Sequence, residues 1–113
     1  MSRNKLFNFN LKRNSDFIEI GGGEGELSAS LVNSGYKFIL YVEPNNKSFK
    51  IARKKLNSIN CQCKDISKID FSDVKPESKS VIVIMQDVIE HISKKKLKDF
   101  FIKLSNNYSK VYF

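Results

Sequence analysis

Cysteine, proline, arginine, histidine and long apolar runs are all scarce in this 113-residue chain, and each shortage removes a class of protein. The only thiols are Cys61 and Cys63, one residue apart. On a strand they share a face, where neighbours rarely reach disulfide geometry. With His91 as the single histidine, two thiols leave a structural zinc site short of ligands, so no metal site is expected. The pair reads as buried strand thiols in a reducing compartment. No segment approaches the roughly 20 apolar residues of a membrane helix. The longest aliphatic or methionine run is Val81 to Met85. Residues 1 to 15 lack a continuous apolar core or a small-residue cleavage site, so the expectation is a cytoplasmic protein without a membrane partner. They are polar and rich in Asn, suiting a short helix or an irregular lead-in.

The net charge of +8 raises a polyanionic partner as one reading, since clustered cations neutralise phosphates. Only Arg3, Arg13 and Arg53 offer forked phosphate contacts, however, and the rest of the positive charge is lysine. Abundant Asn, Ile and Lys are also what a genome of low GC content produces. Solvated lysine faces are therefore preferred, and a nucleic-acid partner is kept as the alternative. The densest basic cluster is Lys94-Lys95-Lys96 with Lys98, in what reads as the first turn of a helix.

Glycine is also sparse, but four of the five glycines fall within Gly21 to Gly25. They follow Phe17-Ile18-Glu19-Ile20, an apolar run with one acid, in the pattern of a buried parallel strand feeding a tight turn. A helix from about Glu24 to Ser34 follows, with Leu27, Ala29, Leu31 and Val32 inward and Gly35 as its stop. A ligand would then sit at the carboxyl end of the strand, beside the helix N-terminus. The dinucleotide fingerprint fails because its last glycine position is Glu26, and no Gly-Lys-Ser/Thr makes a Walker loop. What fits is acid-x-Gly-x-Gly-x-Gly, carried by Glu19, Gly21, Gly23 and Gly25. A plain flexible loop is the competing reading of the glycines alone.

The remaining elements follow in a regular alternation. Tyr36 to Val42 reads as a second buried strand ending at Glu43-Pro44. Pro44 opens a helix with Phe49, Ala52 and Leu56 at helical spacing and Asn57 as its C-cap. Ile59 to Cys63 is a third strand, followed by Lys64-Asp65-Ile66, and Ser67 to Ser80 is a connection. Val81 to Met85 is a fourth, central strand leading into Gln86-Asp87-Val88-Ile89-Glu90-His91. Ser93 caps a helix whose stripe is Leu97, Phe100, Phe101 and Leu104, and Lys110 to Phe113 begins a fifth strand. One α/β domain over residues 1 to 113 results, with a mostly parallel sheet of about five strands.

Phe17 to Gly25, Val42-Glu43-Pro44, Lys64-Asp65-Ile66 and Asp87-Val88-Ile89-Glu90-His91 occur in the order and spacing found in class I S-adenosylmethionine-dependent methyltransferases. The chain resembles that family from about residue 16 onward, and Asp-Val-x-Glu-His looks like its quinone-biosynthesis and sugar-modifying branch. The resemblance implies a Rossmann-like three-layer sandwich with strand order 3-2-1-4-5, S-adenosylmethionine as methyl donor, and transfer to an oxygen, nitrogen or carbon of a small-molecule acceptor such as a sugar or quinone precursor. It implies that Glu19, Gly21, Gly22 and Gly23 border the cofactor's amino-acid end. Glu43, 22 positions after Gly21, has close to the roughly 20-residue spacing at which a carboxylate caps a ribose, with Pro44 beside it. Asp65 and the backbone of Ile66 match the adenine contacts, with a simple turn cap as the alternative for Asp65. Gln86 and Asp87 stand where the cofactor meets the acceptor, and Asp87 and His91 are the candidate catalytic residues. For His91 a packed, structural role competes.

The spacing Asp87-x-x-Glu90-His91 is also similar to the metal-binding segment of small-RNA terminal 2′-O-methyltransferases, but the second histidine which that site needs is missing. The Asn/Asp-Pro-Pro-Tyr motif of amino-group DNA methyltransferases is missing too. The family normally continues past the fifth strand into a helix and an antiparallel hairpin. The chain is therefore expected to be part of a longer domain, either an enzyme or a cofactor-binding module without turnover, with Val111-Tyr112-Phe113 on an open edge.

Overall fold

The computed structural model describes residues 14–72, 74–85 and 92–113. Five strands form one sheet in spatial order β3-β2-β1-β4-β5: β1 (Ser15–Ile20), β2 (Lys37–Val42), β3 (Cys61–Gln62), β4 (Ser80–Met85) and β5 (Lys110–Tyr112). Every neighbouring pair is parallel. Among the described residues three α-helices connect them: α1 (Glu26–Asn33), α2 (Asn46–Lys55) and α3 (Lys94–Ser105). The strand order is the expected one, and it reverses direction between β1 and β4. That reversal opens a crevice at the carboxyl ends of the central strands, where the glycine turn lies.

All six residues of β1 are buried, because the strand has a neighbour on each side and a helical layer on each face. Phe17 packs with Phe38 and Ile82 toward α1, whose Leu31 and Val32 cover them. Ile18 and Ile20 face the opposite way, into a core with Val81, Val83, Phe100 and Leu104 under α3. Tyr41, Ala52 and Leu56 make a smaller cluster beneath α2.

One irregularity in this sheet shapes the site. Phe17 pairs with Phe38, but Ile18 pairs with Leu40, so β2 carries an extra residue at Ile39. In a regular strand Tyr41 would have taken the face of Ile20. The bulge instead sets Tyr41 opposite Glu19, on the α1 and α2 side, while Val42 pairs with Ile20 and joins the core under α3.

Element boundaries differ from the sequence expectations for local reasons. Helix α1 starts at Glu26 rather than near Glu24, because Gly25 holds a left-handed φ of 82° as N-cap. Its stop is the expected Gly35, at φ 91°. Gly35 N–H reaches Val32 O at 3.0 Å and Tyr36 N–H reaches Leu31 O at 3.0 Å, the paired bonds of a Schellman ending. Helix α2 begins at Asn46, not at Pro44, since the Asn45 side chain accepts from Ser48 N–H at 3.0 Å. Leu56, not Asn57, is its C-cap.

Strand β3 is only two residues long, because its partner β2 ends at Val42. The thiols are therefore half-buried rather than fully buried, with Cys61 Sγ 3.6 Å from Leu56 O and Cys63 Sγ 3.7 Å from Pro44 O. Ser93 caps α3 as expected, accepting from Lys96 N–H at 3.2 Å. The buried stripe of α3 is narrower than expected. Phe100 and Leu104 are buried and Leu97 packs against them, but Phe101 lies a helical step round and stacks on Phe113 at 4.2 Å on the surface. The lead-in at residues 1–13 lies outside the described residues.

Candidate functional site

The glycine turn is held from three sides. Gly21 N–H donates to Val42 O at 2.7 Å, tying the end of β1 to the end of β2. Gly23 N–H donates to Glu43 Oε1 at 2.8 Å, and Asn45 N–H donates to Glu43 Oε2 at 2.8 Å. On the other side of the same peptide region, the Tyr41 hydroxyl donates to Gly23 O. One phenol near the end of β2 and one carboxylate just past it, two residues apart, thus grip both the C=O and the N–H of Gly23. The bulge at Ile39 makes this possible by bringing Tyr41 onto the Glu19 face.

Two of the glycines answer different constraints. A side chain at Gly22 would place its Cβ 2.4 Å from Tyr41 Cε1 and 2.7 Å from Glu19 Cδ, so the backbone must pass bare over those groups. Gly23 has a left-handed φ of 63°, and beyond its chain neighbours no atom of the described residues lies within 4 Å of where its Cβ would stand.

Glu19 lies beneath the turn. It is 1 % exposed, and its Oε1 accepts from the Ser28 hydroxyl on α1 at 2.5 Å. Burial pushes its carboxyl above the ordinary value of 4.5; the Ser28 hydrogen bonds oppose that rise and the nearby Glu43 adds to it. An acid with a raised folded-state pKa contributes fully below its unfolded value and loses that contribution as pH rises through the folded value. Glu19→Gln keeps an acceptor for Ser28 and removes the charge. The variant is expected to gain stability relative to the parent as pH rises from about 4.5, read by urea denaturation at stepped pH. A difference between the two proteins that is flat with pH would refute a buried titrating Glu19.

The third part of the site follows β3. Asp65 is the N-cap of a short 3₁₀ turn, Ile66–Lys68, as its capping reading foresaw. Its Oδ2 accepts from Ser67 N–H at 3.1 Å, from the Ser67 hydroxyl at 2.5 Å and from Lys96 Nζ of α3 at 3.1 Å. The Ser67 hydroxyl, the Ser67 N–H and Lys96 hold its carboxyl down at about 2. Ile66 is buried in the core under α3, fixing the backbone beside Asp65. Pro44 is exposed next to Glu43.

The structure therefore gathers Glu19, Gly21, Gly22, Gly23 and Glu43 around one turn and joins them through Val42 to Pro44. It sets Asp65 and Ile66 on the loop after β3, on the other side of β2 from that turn. Gln86, Asp87 and His91 lie outside the described residues. Among the described residues no group of three or more metal-ligating side chains occurs. Sequence reasoning missed Tyr41, Ser28 and Lys96. Tyr41 is an apparent core residue whose facing depends on an unsignalled bulge, Ser28 is a small polar residue inside a helix, and Lys96 is one lysine among several.

Residues 17–108 match the family described as "Methyltransferase domain". The chain belongs to that family. Its sheet order and glycine turn are those of a Rossmann-like methyltransferase fold, and solved structures agree at the level of the fold. A TehB-like SAM-dependent methyltransferase from Corynebacterium glutamicum matches with a TM-score of 0.64 at 11 % identity, covering 94 % of this chain and 53 % of that one. DesVI from Streptomyces venezuelae matches with a TM-score of 0.66 at 12 % identity, covering 95 % and 44 %. The sugar N-methyltransferase KedS8 from Streptoalloteichus matches with a TM-score of 0.61 at 14 % identity, covering 95 % and 47 %. The chain thus spans about half the length of these solved proteins. No curated protein matches the sequence significantly.

Proposed function

We propose that this methyltransferase domain binds S-adenosylmethionine at the carboxyl ends of β1, β2 and β3, and that the protein to which it belongs methylates a small-molecule acceptor. The observation that carries the reading is the Glu43 carboxylate poised at Gly23. Each of its oxygens accepts one backbone N–H, whereas a carboxylate offers about four acceptor positions. Two positions remain for the paired hydroxyls of a ribose. The space above Gly23, free of side chains among the described residues, suits the close approach of a ligand to backbone.

When bound, the cofactor supplies an electrophilic methyl group on a sulfonium. The chain's own tasks are to fix that group's direction and to receive a proton from the acceptor. Glu43 orients through the ribose, and the Gly21 to Gly23 backbone borders the amino-acid end. Glu19 acts beneath the turn as a positioning residue. Asp65 accepts from the adenine amino group and Ile66 N–H donates to the ring. Gln86 and Asp87 follow β4 directly in the sequence; they are assigned to the boundary of cofactor and acceptor, with Asp87 the preferred proton acceptor and His91 the second candidate.

KedS8, described as a sugar N-methyltransferase, and MtfA, described as a glycopeptide N-methyltransferase, favour an acceptor bearing a sugar or an amine. An RNA acceptor is the second reading and rests on the +8 charge. The exposed cations speak against it. Lys47, Lys50, Arg53, Lys54 and Lys55 lie on α2 while Lys94, Lys95, Lys96, Lys98 and Lys103 lie on α3, on opposite faces of the sheet, so they form no single track. Among the described residues no helix is long and apolar enough to cross a membrane, and a cytoplasmic location is part of this reading.

Calorimetric titration of the folded chain with S-adenosylhomocysteine, against NAD as control, is the direct test. Binding of the former alone is expected. A folded chain that binds neither, or binds NAD, would overturn the proposal.

A further inference from the structure

Lys96 stands where a helix least favours a cation, in the first turn of α3, facing the positive end of the macrodipole. Lys95, beside it, pairs with Asp99 one turn on at 3.5 Å. Lys96 instead leaves its own helix and reaches Asp65, 31 residues earlier, at 3.1 Å. The contact joins α3 to the 3₁₀ turn after β3, and its placement on Asp65 is selective. Lys96 Nζ, Ser67 N–H and the Ser67 hydroxyl all converge on Oδ2. Among the described residues, Oδ1 accepts none of these bonds.

The two oxygens of a carboxylate are chemically equal, so what distinguishes them is the set of donors around each. Ser67 is two residues away and moves with its own turn. Lys96 comes from a different element, so it fixes the carboxylate relative to the rest of the domain. A carboxylate held this way stays an acceptor only. Facing the edge of a purine, it accepts from a 6-amino group and repels a 6-oxo group. We propose that Lys96 is a specificity-determining residue, one that turns Oδ1 of Asp65 toward the nucleobase and so makes the domain prefer an adenine-bearing ligand over its hypoxanthine analogue. This rests on the cofactor reading above and names how one part of that site tells its ligand.

The side chains of Lys96 and Asp65 are each 45 % exposed, so their ion pair contributes little to stability. The expected effect is therefore on recognition and not on folding. The experiment titrates the chain with S-adenosylhomocysteine and with S-inosylhomocysteine, using the parent, Lys96→Met and Lys96→Arg. Methionine keeps the aliphatic stem and removes the charge, and thermal melts check that each variant is folded. The parent is expected to prefer the adenosyl compound by about tenfold or more. Lys96→Met should reduce that preference to about threefold or less with little change in Tm, and Lys96→Arg should restore most of it. A folded Lys96→Met protein with the parent's full preference would overturn the inference while leaving the cofactor reading intact. A parent that binds both compounds equally would overturn it as well. Failure of the folded parent to bind either compound would overturn the cofactor reading itself.

Discussion

Glu43→Ala is expected to weaken S-adenosylhomocysteine binding by at least about 100-fold. Two contributions combine. The ribose would lose hydrogen bonds to a charged acceptor, each worth roughly 1.5–3 kcal/mol where buried, and every 1.4 kcal/mol is a factor of about ten in affinity. The protein would also lose the bridge from Gly23 N–H to Asn45 N–H, which together fix the glycine turn against the start of α2. Glu43→Gln separates the two. An amide offers one acceptor oxygen and turns an N–H group toward the other backbone donor, so it retains one bond of the bridge and opposes the second. Its affinity should fall between the parent and the alanine variant. Its backbone amide signals at Gly23 or Asn45, but not both, should stay near their parental positions. Parental affinity in a folded Glu43→Ala protein would remove the ribose assignment.

The prominence of Glu43 was legible in the sequence because it depends on two local facts, the end of an apolar strand and the distance from the glycine turn. The succession of strands and helices was legible for a similar reason, whereas the sheet order was implied by the resemblance to the methyltransferase family. The glycine turn marks the carboxyl end of β1, and each later apolar run is separated by a helical or turn segment of ordinary length. What the chain did not announce is how β2 presents its residues. Nothing in Phe38-Ile39-Leu40-Tyr41 distinguishes a bulged strand from a regular one, since all four are apolar or aromatic. Yet the extra residue at Ile39 decides that Tyr41 supports the turn rather than packing under α3.

Long-range partners were hidden for the same reason. Ser28 matters through Glu19, nine residues back on a different element, and Lys96 through Asp65. A third example lies away from the site. At the amino end of the sheet Asp16 is fully buried, and its Oδ2 accepts from the Tyr108 hydroxyl at 2.8 Å and from Glu77 N–H at 2.9 Å, an arrangement that ties β1 to the segment before β5. Periodicity locates strands and helices, but it carries no record of which buried polar groups meet.

Alanine at each of two adjacent glycines should separate the fold from the site. At Gly22 the obstacle is packing. The new Cβ would lie 2.4 Å from a ring carbon of Tyr41 and 2.7 Å from the Glu19 carboxyl, and neither group can retreat easily. Tyr41 is fully buried and anchored through its hydroxyl to Gly23 O, and Glu19 is enclosed against Ser28. Overpacking of this kind costs about 3 kcal/mol, which in a domain of this size lowers Tm by roughly 10–20 °C. At Gly23 no described residue obstructs a Cβ, and the left-handed φ of 63° is unfavourable for a side chain, at about 1 kcal/mol. Gly23→Ala should therefore remain folded, with Tm lower by only a few degrees, yet lose S-adenosylhomocysteine binding because its methyl group fills space the ligand needs. The pair of melts and titrations reads both effects in one series. A Gly22→Ala protein as stable as the parent would contradict the packing of Tyr41 beneath the turn, and a Gly23→Ala protein binding at parental affinity would move the ligand away from it.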